Sequence, residues 1–284
     1  MPRIRIQAFY RQLYKKLQEY HNNVETANFE FRWLLLHSKT VSQNLKNKGV
    51  DFSRGLGIFK KAVLPISFYQ QSWLSRAVRQ RVKFDKPFQY ILGTQPFNKL
   101  QILVRKPVLI PRWETEEWST RVGCLVANGI SKEDYTSNSP FRILDLSDSL
   151  NHNVSKLPID LIVSNPPYVS HSEYQSVENQ VKNWEDKRAL VPMYQDHQIS
   201  HCVQDVDGSS MLMKILCLFE KLVASSQISN KNTSLTVPKL VLELGNSTQA
   251  QKLKRYTESS SVLNRFRSEI WNDLAGNVRN FVLY

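Results

Sequence analysis

The chain has 284 residues, of which 41% are hydrophobic and 11% aromatic. That composition can bury a sizeable core in one large or two ordinary domains and excludes a disordered polymer. Three widely spaced cysteines, Cys124, Cys202 and Cys217, exclude a disulfide framework, and no apolar run approaches the length of a membrane span.

Charge is distributed unevenly. Residues 1–110 carry 20 Lys and Arg against 5 Asp and Glu, whereas residues 111–284 carry 18 against 20. The basic half is expected to dock on something acidic, such as RNA or a ribosomal surface. A solvated helical face is the other reading.

Residues 1–20 hold Arg3, Arg5, Arg11, Lys15 and Lys16, with no acid before Glu19, and Ile4, Ile6, Phe9, Tyr10, Leu13 and Leu17 at loosely helical spacing. The pattern suits a mitochondrial transit peptide and suits a basic amphipathic first helix equally well. Mitochondrial localisation is the expectation, with the cytoplasm as alternative. Residues 8–93 read mainly as helices. Ala27, Phe31, Leu34 and Leu35 keep helical spacing, as do Phe68, Trp73, Leu74, Ala77 and Val78. Pro65 separates two helices and Pro87 ends the last. Gly55-Leu56-Gly57 follows no strand and is not a dinucleotide fingerprint. Residues 94–110 read as a β-hairpin, with Leu100, Ile102 and Val104 alternating before Pro107. Glu114–Val126 reads as a helix whose early acids suit its N-terminus. Trp33, Trp73 and Trp113 are assigned to packing, Trp113 alone being placed to line a site.

The most informative segment is Ser164-Asn165-Pro166-Pro167-Tyr168-Val169, directly after the apolar run Ile159-Asp160-Leu161-Ile162-Val163. It falls at the carboxyl end of a buried parallel strand, where open α/β sheets build ligand crevices. Two prolines fix φ near −65° and remove two backbone donors, and Pro166 pushes Asn165 out of the helical region. A stiff elbow results, presenting an amide, carbonyls and an aromatic ring. Acceptors at Asn165 Oδ1 and the Pro166 carbonyl suit the two N–H groups of a planar, weakly nucleophilic nitrogen, with Tyr168 stacked on the planar group. That is the chemistry of methyl transfer from S-adenosylmethionine, in which positioning supplies most of the rate. A plain β-turn after a strand would also use Asn and Pro.

Upstream lie Pro87-Phe88-Gln89-Tyr90-Ile91-Leu92-Gly93 and Val108-Leu109-Ile110-Pro111-Arg112-Trp113-Glu114-Thr115-Glu116. Downstream lie Trp184-Glu185-Asp186-Lys187-Arg188-Ala189-Leu190, Asp207-Gly208, Leu240-Val241-Leu242-Glu243-Leu244-Gly245 and Asp273-Leu274-Ala275-Gly276-Asn277-Val278-Arg279. With the elbow, these segments resemble the protein-(glutamine-N5) methyltransferases that modify the Gly-Gly-Gln loop of peptide-chain release factors. The resemblance runs from about residue 30 to the C-terminus with one gap. It implies an α/β fold: a Rossmann-like S-adenosylmethionine-dependent methyltransferase core with an N-terminal helical substrate-recognition domain. The implied limits are residues 1–93 for the helical domain, 94–110 for a hairpin linker and 111–284 for the methyltransferase domain. It implies a release factor, of mitochondrial type, as partner and S-adenosylmethionine as methyl donor. Asn165, Pro166, Pro167 and Tyr168 would hold the substrate amide, and Pro111, Arg112, Asp145 and Asn165 would lie against the cofactor. The elbow alone is shared with amino-methyltransferases of nucleic acids, which the Gln-Tyr-Ile-Leu-Gly segment disfavours.

One departure stands out. No glycine occurs between Gly129 and Gly208, so the glycine-rich loop that the family carries after its first strand is missing, and backbone cannot approach a ligand at positive φ there. Only 20 positions separate Asp145 from Asn165, fewer than the roughly 30 of one βαβ unit. The sheet is therefore expected to be truncated and the cofactor cradle incomplete. Ile143–Leu146 fits either the first strand or the strand just before the elbow strand, and in the second register Asp145 would face the adenine. A chain that has lost cofactor binding is the alternative reading of function.

Beyond the elbow, residues 171–206 read as a long polar loop serving as a lid, Asp207 as the N-cap of a helix through Leu222, and Ser225–Pro238 as a disordered surface loop. Leu240–Leu244 reads as a second buried strand, and Ile270-Trp271 with Arg279–Tyr284 as a closing antiparallel pair. His197, His201 and Cys202 lack a further ligand at suitable spacing, so no metal site is assigned. Arg279 is taken as structural.

Overall fold

The computed structural model describes residues 2–47, 66–130, 140–146, 158–192, 207–229 and 236–284. It divides into two compact units: Met1–Gln95 with Ile102–Lys106, and Pro96–Gln101 with Pro107–Tyr284. The pair Gly55/Gly57, the helix break at Pro65 and the group His197, His201 and Cys202 lie outside the described residues.

The first unit is built from α1 (Pro2–His21), α2 (Val24–Asn47), α3 (Ile66–Phe84) and the short α4 (Phe88–Leu92). Leu13 and Leu17 of α1, Ala27 and Leu34 of α2, and Leu74, Ala77 and Val78 of α3 share one buried cluster. These positions recur at three, four and seven residues, so each helix turns one apolar stripe inward. The basic segment at the start of the chain is thus packed into this core from Leu13 onward. Asn22 takes a left-handed φ of 49° between α1 and α2, and the Asn23 side chain accepts the Thr26 N–H to cap α2. Two of the tryptophans assigned to packing stand out instead: Trp33 is 45% exposed, and Trp113 of the second unit 50%. Trp33 forms an edge contact with Phe29, itself exposed, while Trp73 does pack against the core.

A buried charge cluster crosses the helices of this unit. Glu30 and Arg81 are both buried, and the guanidinium meets the carboxylate at 2.9 Å. His21 Nε2 lies 2.8 Å from Glu30 Oε2, and the Arg81 guanidinium sits over the Tyr20 ring at 4.9 Å. Burial, followed by a hydrogen bond to Asp85, pushes the Tyr20 hydroxyl up to about 12.

A two-stranded ribbon, β1 (Thr94–Phe97) and β2 (Leu100–Leu103), follows the left-handed cap Gly93. In the second unit come α5 (Trp113–Gly129), β3 (Ile143–Asp145), β4 (Leu161–Ser164), α6 (His171–Ser176), α7 (Asn179–Trp184), a 3-10 turn (Lys187–Ala189), α8 (Ser210–Ala224), β5 (Leu240–Glu243), α9 (Ser247–Ser259), β6 (Ser268–Asn272) and β7 (Val278–Leu283). The sheet order is β3-β4-β5-β7-β6. β3, β4 and β5 run parallel, with Leu144 opposite Ile162 and Val163 opposite Val241. β7 pairs antiparallel with β5 and β6.

Alternation sorts the side chains onto two layers. Ile162, Leu240 and Leu242 face the cluster that includes Leu212, Ile215, Leu216 and Phe219 of α8 and Ala250 and Leu253 of α9. Leu161, Val241 and Val282 face Trp118 and Val122 of α5. The sheet is thus covered on both faces, which is why its parallel strands read as continuous apolar runs. The antiparallel β6–β7 pair matches the sequence reading.

Three expectations are corrected. Residues 171–192 are not loop but two short helices and a 3-10 turn. Ser170 and Glu173 form a reciprocal capping box that starts α6, and Asp186 caps the 3-10 turn. Asp207 does not cap the following helix as N-cap. Gly208 takes a φ of 73°, so α8 starts at Ser210, and Asp207 Oδ1 accepts the Ser209 N–H at 3.1 Å. Nor is all of Ser225–Pro238 surface loop: Ile228, Ser229 and Val237 are buried, Ile228 bridges Ile159, and residues 230–235 lie outside the described residues.

Candidate functional site

β4 ends at Ser164, and the chain turns at once into the elbow. Pro166 and Pro167 are buried, whereas Asn165 and Tyr168 are half-buried. The elbow lies at the carboxyl ends of the parallel strands β3, β4 and β5. Its backbone is held from three sides. Ser164 Oγ donates to the Leu146 carbonyl, Val169 N–H donates to the Leu190 carbonyl at 2.9 Å, and Gln249 Nε2 donates to the Tyr168 carbonyl at 2.8 Å. Gln249 is fully buried. It also donates to the Asp207 carbonyl and accepts the Gly245 N–H at 2.8 Å, so one amide ties three chain segments together.

Two glycines make room for the elbow. A Cβ on Gly208 would stand 2.1 Å from the Tyr168 carbonyl oxygen, and one on Gly245 would stand 3.1 Å from the Tyr168 ring. The second glycine leaves room for the edge of the Tyr168 ring; the first also supplies a positive φ that other residues reach only at a cost.

The centre of the site is Glu243, the last residue of β5 and nearly fully buried. Thr115 Oγ1 and Trp118 Nε1 of α5 donate to its Oε2 at 2.6 and 2.7 Å. Tyr168 Oη donates to its Oε1 at 3.0 Å. Asn165 Nδ2 donates to Thr115 Oγ1 at 3.0 Å. Burial is the first cause that raises the Glu243 carboxyl above its ordinary value, and the three donors pull it part of the way back. Burial, and then the Glu243 charge, raise the Tyr168 hydroxyl well above its ordinary range, so it stays a donor at neutral pH. Among the described residues, none donates to Asn165 Oδ1 or to the Pro166 carbonyl.

The other expected site residues divide. Arg112 Nη2 meets Glu185 at 2.8 and 2.9 Å, and Glu185 also accepts the Ile110 N–H at 3.2 Å. Asp186 N–H donates to the Pro107 carbonyl at 2.8 Å. The Pro111-Arg112 segment is therefore clamped to the Trp184-Glu185-Asp186 segment, and through Leu190 to the elbow. Asp145 is exposed on β3 and paired with Val163. Arg279 meets Asp273 at 2.8 Å and Glu114 at 3.4 Å.

Glu243, Thr115, Trp118 and Gln249 were not singled out by the sequence reading. A signal for Glu243 was present: it is the only charge in Leu240–Leu244, and a carboxylate in a buried strand needs partners.

The place of β3 bears on the register left open for Ile143–Leu146. In the classic doubly wound order the first strand lies beside the fourth, with the ligand crevice between them. β3 pairs directly with the elbow strand on the side opposite β5, the place of a first strand. The residues fit a methyl donor only in part. The carboxyl ends of β3 and β4 bring Asp145 and Asn165 to one end of the sheet, and Leu146 leads into residues 147–157, which hold no glycine. The cavity of about 330 Å³ in this unit lies elsewhere, at the amino end of the strands beside Ile228, Ser229, Lys239 and Arg265, and touches none of these groups.

The fold is that of a mixed α/β protein with helices on both faces of its sheet. Comparison with known proteins points the same way. No protein-family profile matches the chain. It is similar to the release factor glutamine methyltransferase of Fusobacterium nucleatum, at 30% identity over 153 residues covering 40% of this chain and 43% of that protein. It is similar to the mitochondrial MRF1 N(5)-glutamine methyltransferase MTQ1 of Saccharomyces cerevisiae, at 29% over 171 residues covering 40% and 52%. The human MTRF1L release factor glutamine methyltransferase matches at 29% over 175 residues, covering 43% and 51%. The chain thus spans about half the length of these curated relatives. Over that shared part it is homologous to release factor glutamine methyltransferases.

Proposed function

We propose that this chain methylates the side-chain amide nitrogen of the glutamine in a release factor's Gly-Gly-Gln motif. The observation that carries this reading is the pair of acceptors at the elbow, Asn165 Oδ1 and the Pro166 carbonyl, to which none of the described residues donates, on a backbone fixed by Gln249 and Gly208. A carboxamide nitrogen is a poor nucleophile because its lone pair is delocalised. Holding both of its N–H groups on two acceptors aims that lone pair along one direction. Positioning of this kind is worth roughly 7–11 kcal/mol in favourable cases. S-adenosylmethionine would supply an electrophilic methyl group on its sulfonium. Pro166 and Pro167 contribute rigidity without donors that would compete for the acceptors. Tyr168, fixed at its hydroxyl by Glu243, keeps its ring in one orientation beside the amide. No base is required before transfer, because the alkylated nitrogen loses its proton readily.

The partner in this reading is a peptide-chain release factor, of mitochondrial type by the yeast and human relatives. The basic first half is proposed to face it or the ribosome. Incubation of the full chain with methyl-labelled S-adenosylmethionine and a Gly-Gly-Gln release factor tests the reading. Label on that glutamine is expected. No label, beside a full-length relative that works, would overturn it. Titration calorimetry with S-adenosylmethionine alone separates a chain that has lost donor binding from one that binds the donor but not the release factor.

A further inference from the structure

The hydrogen bonds around Glu243 have a fixed direction, and that direction reaches the substrate side of the elbow. A carboxylate only accepts, and an indole N–H only donates. Trp118 and Thr115 both point to Glu243 Oε2, so the Thr115 hydroxyl proton is committed to the carboxylate. Its oxygen can then only accept from Asn165. The amide of Asn165 must offer Nδ2 inward, at 3.0 Å, and its Oδ1 must point away. An Asn side chain has no intrinsic preference between the two orientations, and the reversed one would present a donor to a substrate that itself brings donors.

We infer that Thr115, set by Glu243, is a positioning residue that fixes the amide of Asn165 so that an acceptor faces the substrate carboxamide. This deepens the proposed function and rests on it. What orients the amide is the polarity of residue 243, not its charge. A glutamine at 243 can keep its oxygen toward Thr115 and Trp118 and turn its NH₂ toward Tyr168, whose hydroxyl also accepts. Glu243→Gln therefore preserves the orientation, whereas Thr115→Val, nearly identical in volume, removes it. Thr115→Ser restores the hydroxyl.

The test uses the full chain and two readouts. The first is the side-chain amide resonance pair of Asn165 in a ¹⁵N spectrum, assigned by its loss in Asn165→Ala. In Thr115→Val this pair is expected to move toward free-amide positions and to exchange faster with water, while Thr115→Ser and Glu243→Gln leave it near its original place. The second is steady-state methylation of the release factor. Thr115→Val should lower kcat roughly fivefold to tenfold, the size expected when one hydrogen bond no longer fixes an orientation, with KM changed less and Thr115→Ser recovering most of the loss. An Asn165 pair unmoved by Thr115→Val, or a Ser variant as impaired as the Val variant, would overturn the inference. If the wild-type chain transfers no methyl group, the proposed function fails while the resonance pair still decides whether Thr115 orients the amide.

Discussion

Among the described residues the helical unit buries Glu30 and the α/β unit buries Glu185 and Glu243, and Glu30 and Glu243 are held in opposite ways. In the helical unit Glu30 faces a guanidinium and an imidazole, with Arg81 at 2.9 Å and His21 at 2.8 Å. In the α/β unit Glu243 is held by three neutral donors, from Thr115, Trp118 and Tyr168. The charged cluster is a clasp between helices: Arg81 reaches Glu30, Asp85, the Lys86 carbonyl and the Tyr20 ring and hydroxyl. The neutral cluster ends on Asn165 and Tyr168, the two half-buried residues of the elbow. A buried carboxylate paired with cations marks a structural tie, whereas one held by neutral donors imposes a direction on every hydroxyl and amide beyond it.

The largest effect should come from breaking the charged pair. Arg81→Met leaves Glu30 buried without its guanidinium and should cost about 3–5 kcal/mol. Chemical denaturation followed through the helical unit checks this, and Arg81→Met with Glu30→Leu should recover much of the loss. A single-variant cost below that of an ordinary surface substitution would contradict the clasp.

Next in size is Gly208→Ala. Its Cβ would collide with the Tyr168 carbonyl, and its φ is positive, so the α/β unit should lose about 3 kcal/mol or more. Thermal melting measures it, and an alanine variant as stable as wild type would contradict the tight seating of the elbow.

The smallest effect distinguishes the two carboxylates most finely. Glu243→Gln should cost about 1 kcal/mol at neutral pH, because its neutral donors remain matched. A carboxyl whose folded value is raised adds stability below its ordinary value, and that contribution is lost as pH rises through the raised one. For Glu243, raised chiefly by burial from an ordinary 4.5, the advantage of wild type over Glu243→Gln should shrink as pH climbs from 4.5. Denaturation of both proteins over a pH series measures the difference. A difference that grows with pH would show that the carboxyl is held below its ordinary value.

How much of this was readable before the structure depends on the range of the interaction. The elbow at Asn165–Tyr168, as a turn directly after a buried strand, was legible because a buried apolar run and two prolines act locally, within a few residues. The α6 start was equally local: Ser170 and Glu173 spell a capping box, and a reading of the stretch as polar loop passed over it. The hub at Glu243 was not legible, because its partners lie 128, 125 and 75 positions away and no periodicity connects them. Arg112 shows the opposite hazard. Its segment was recognised, but its side chain is committed to Glu185, 73 positions away, a pairing that only the folded chain reveals. The absence of glycine between Gly129 and Gly208 was plain from the start, and β3 lies directly beside the elbow strand.

The claim on which the account turns is that Asn165 holds the glutamine amide. Methyl transfer to the Gly-Gly-Gln release factor by wild type and Asn165→Ala, with folding verified by identical melting curves, tests it most directly. The account predicts label on the glutamine for wild type and a loss of about a hundredfold or more in the variant, the scale of a misplaced reacting group. Equal labelling by the two proteins would contradict it.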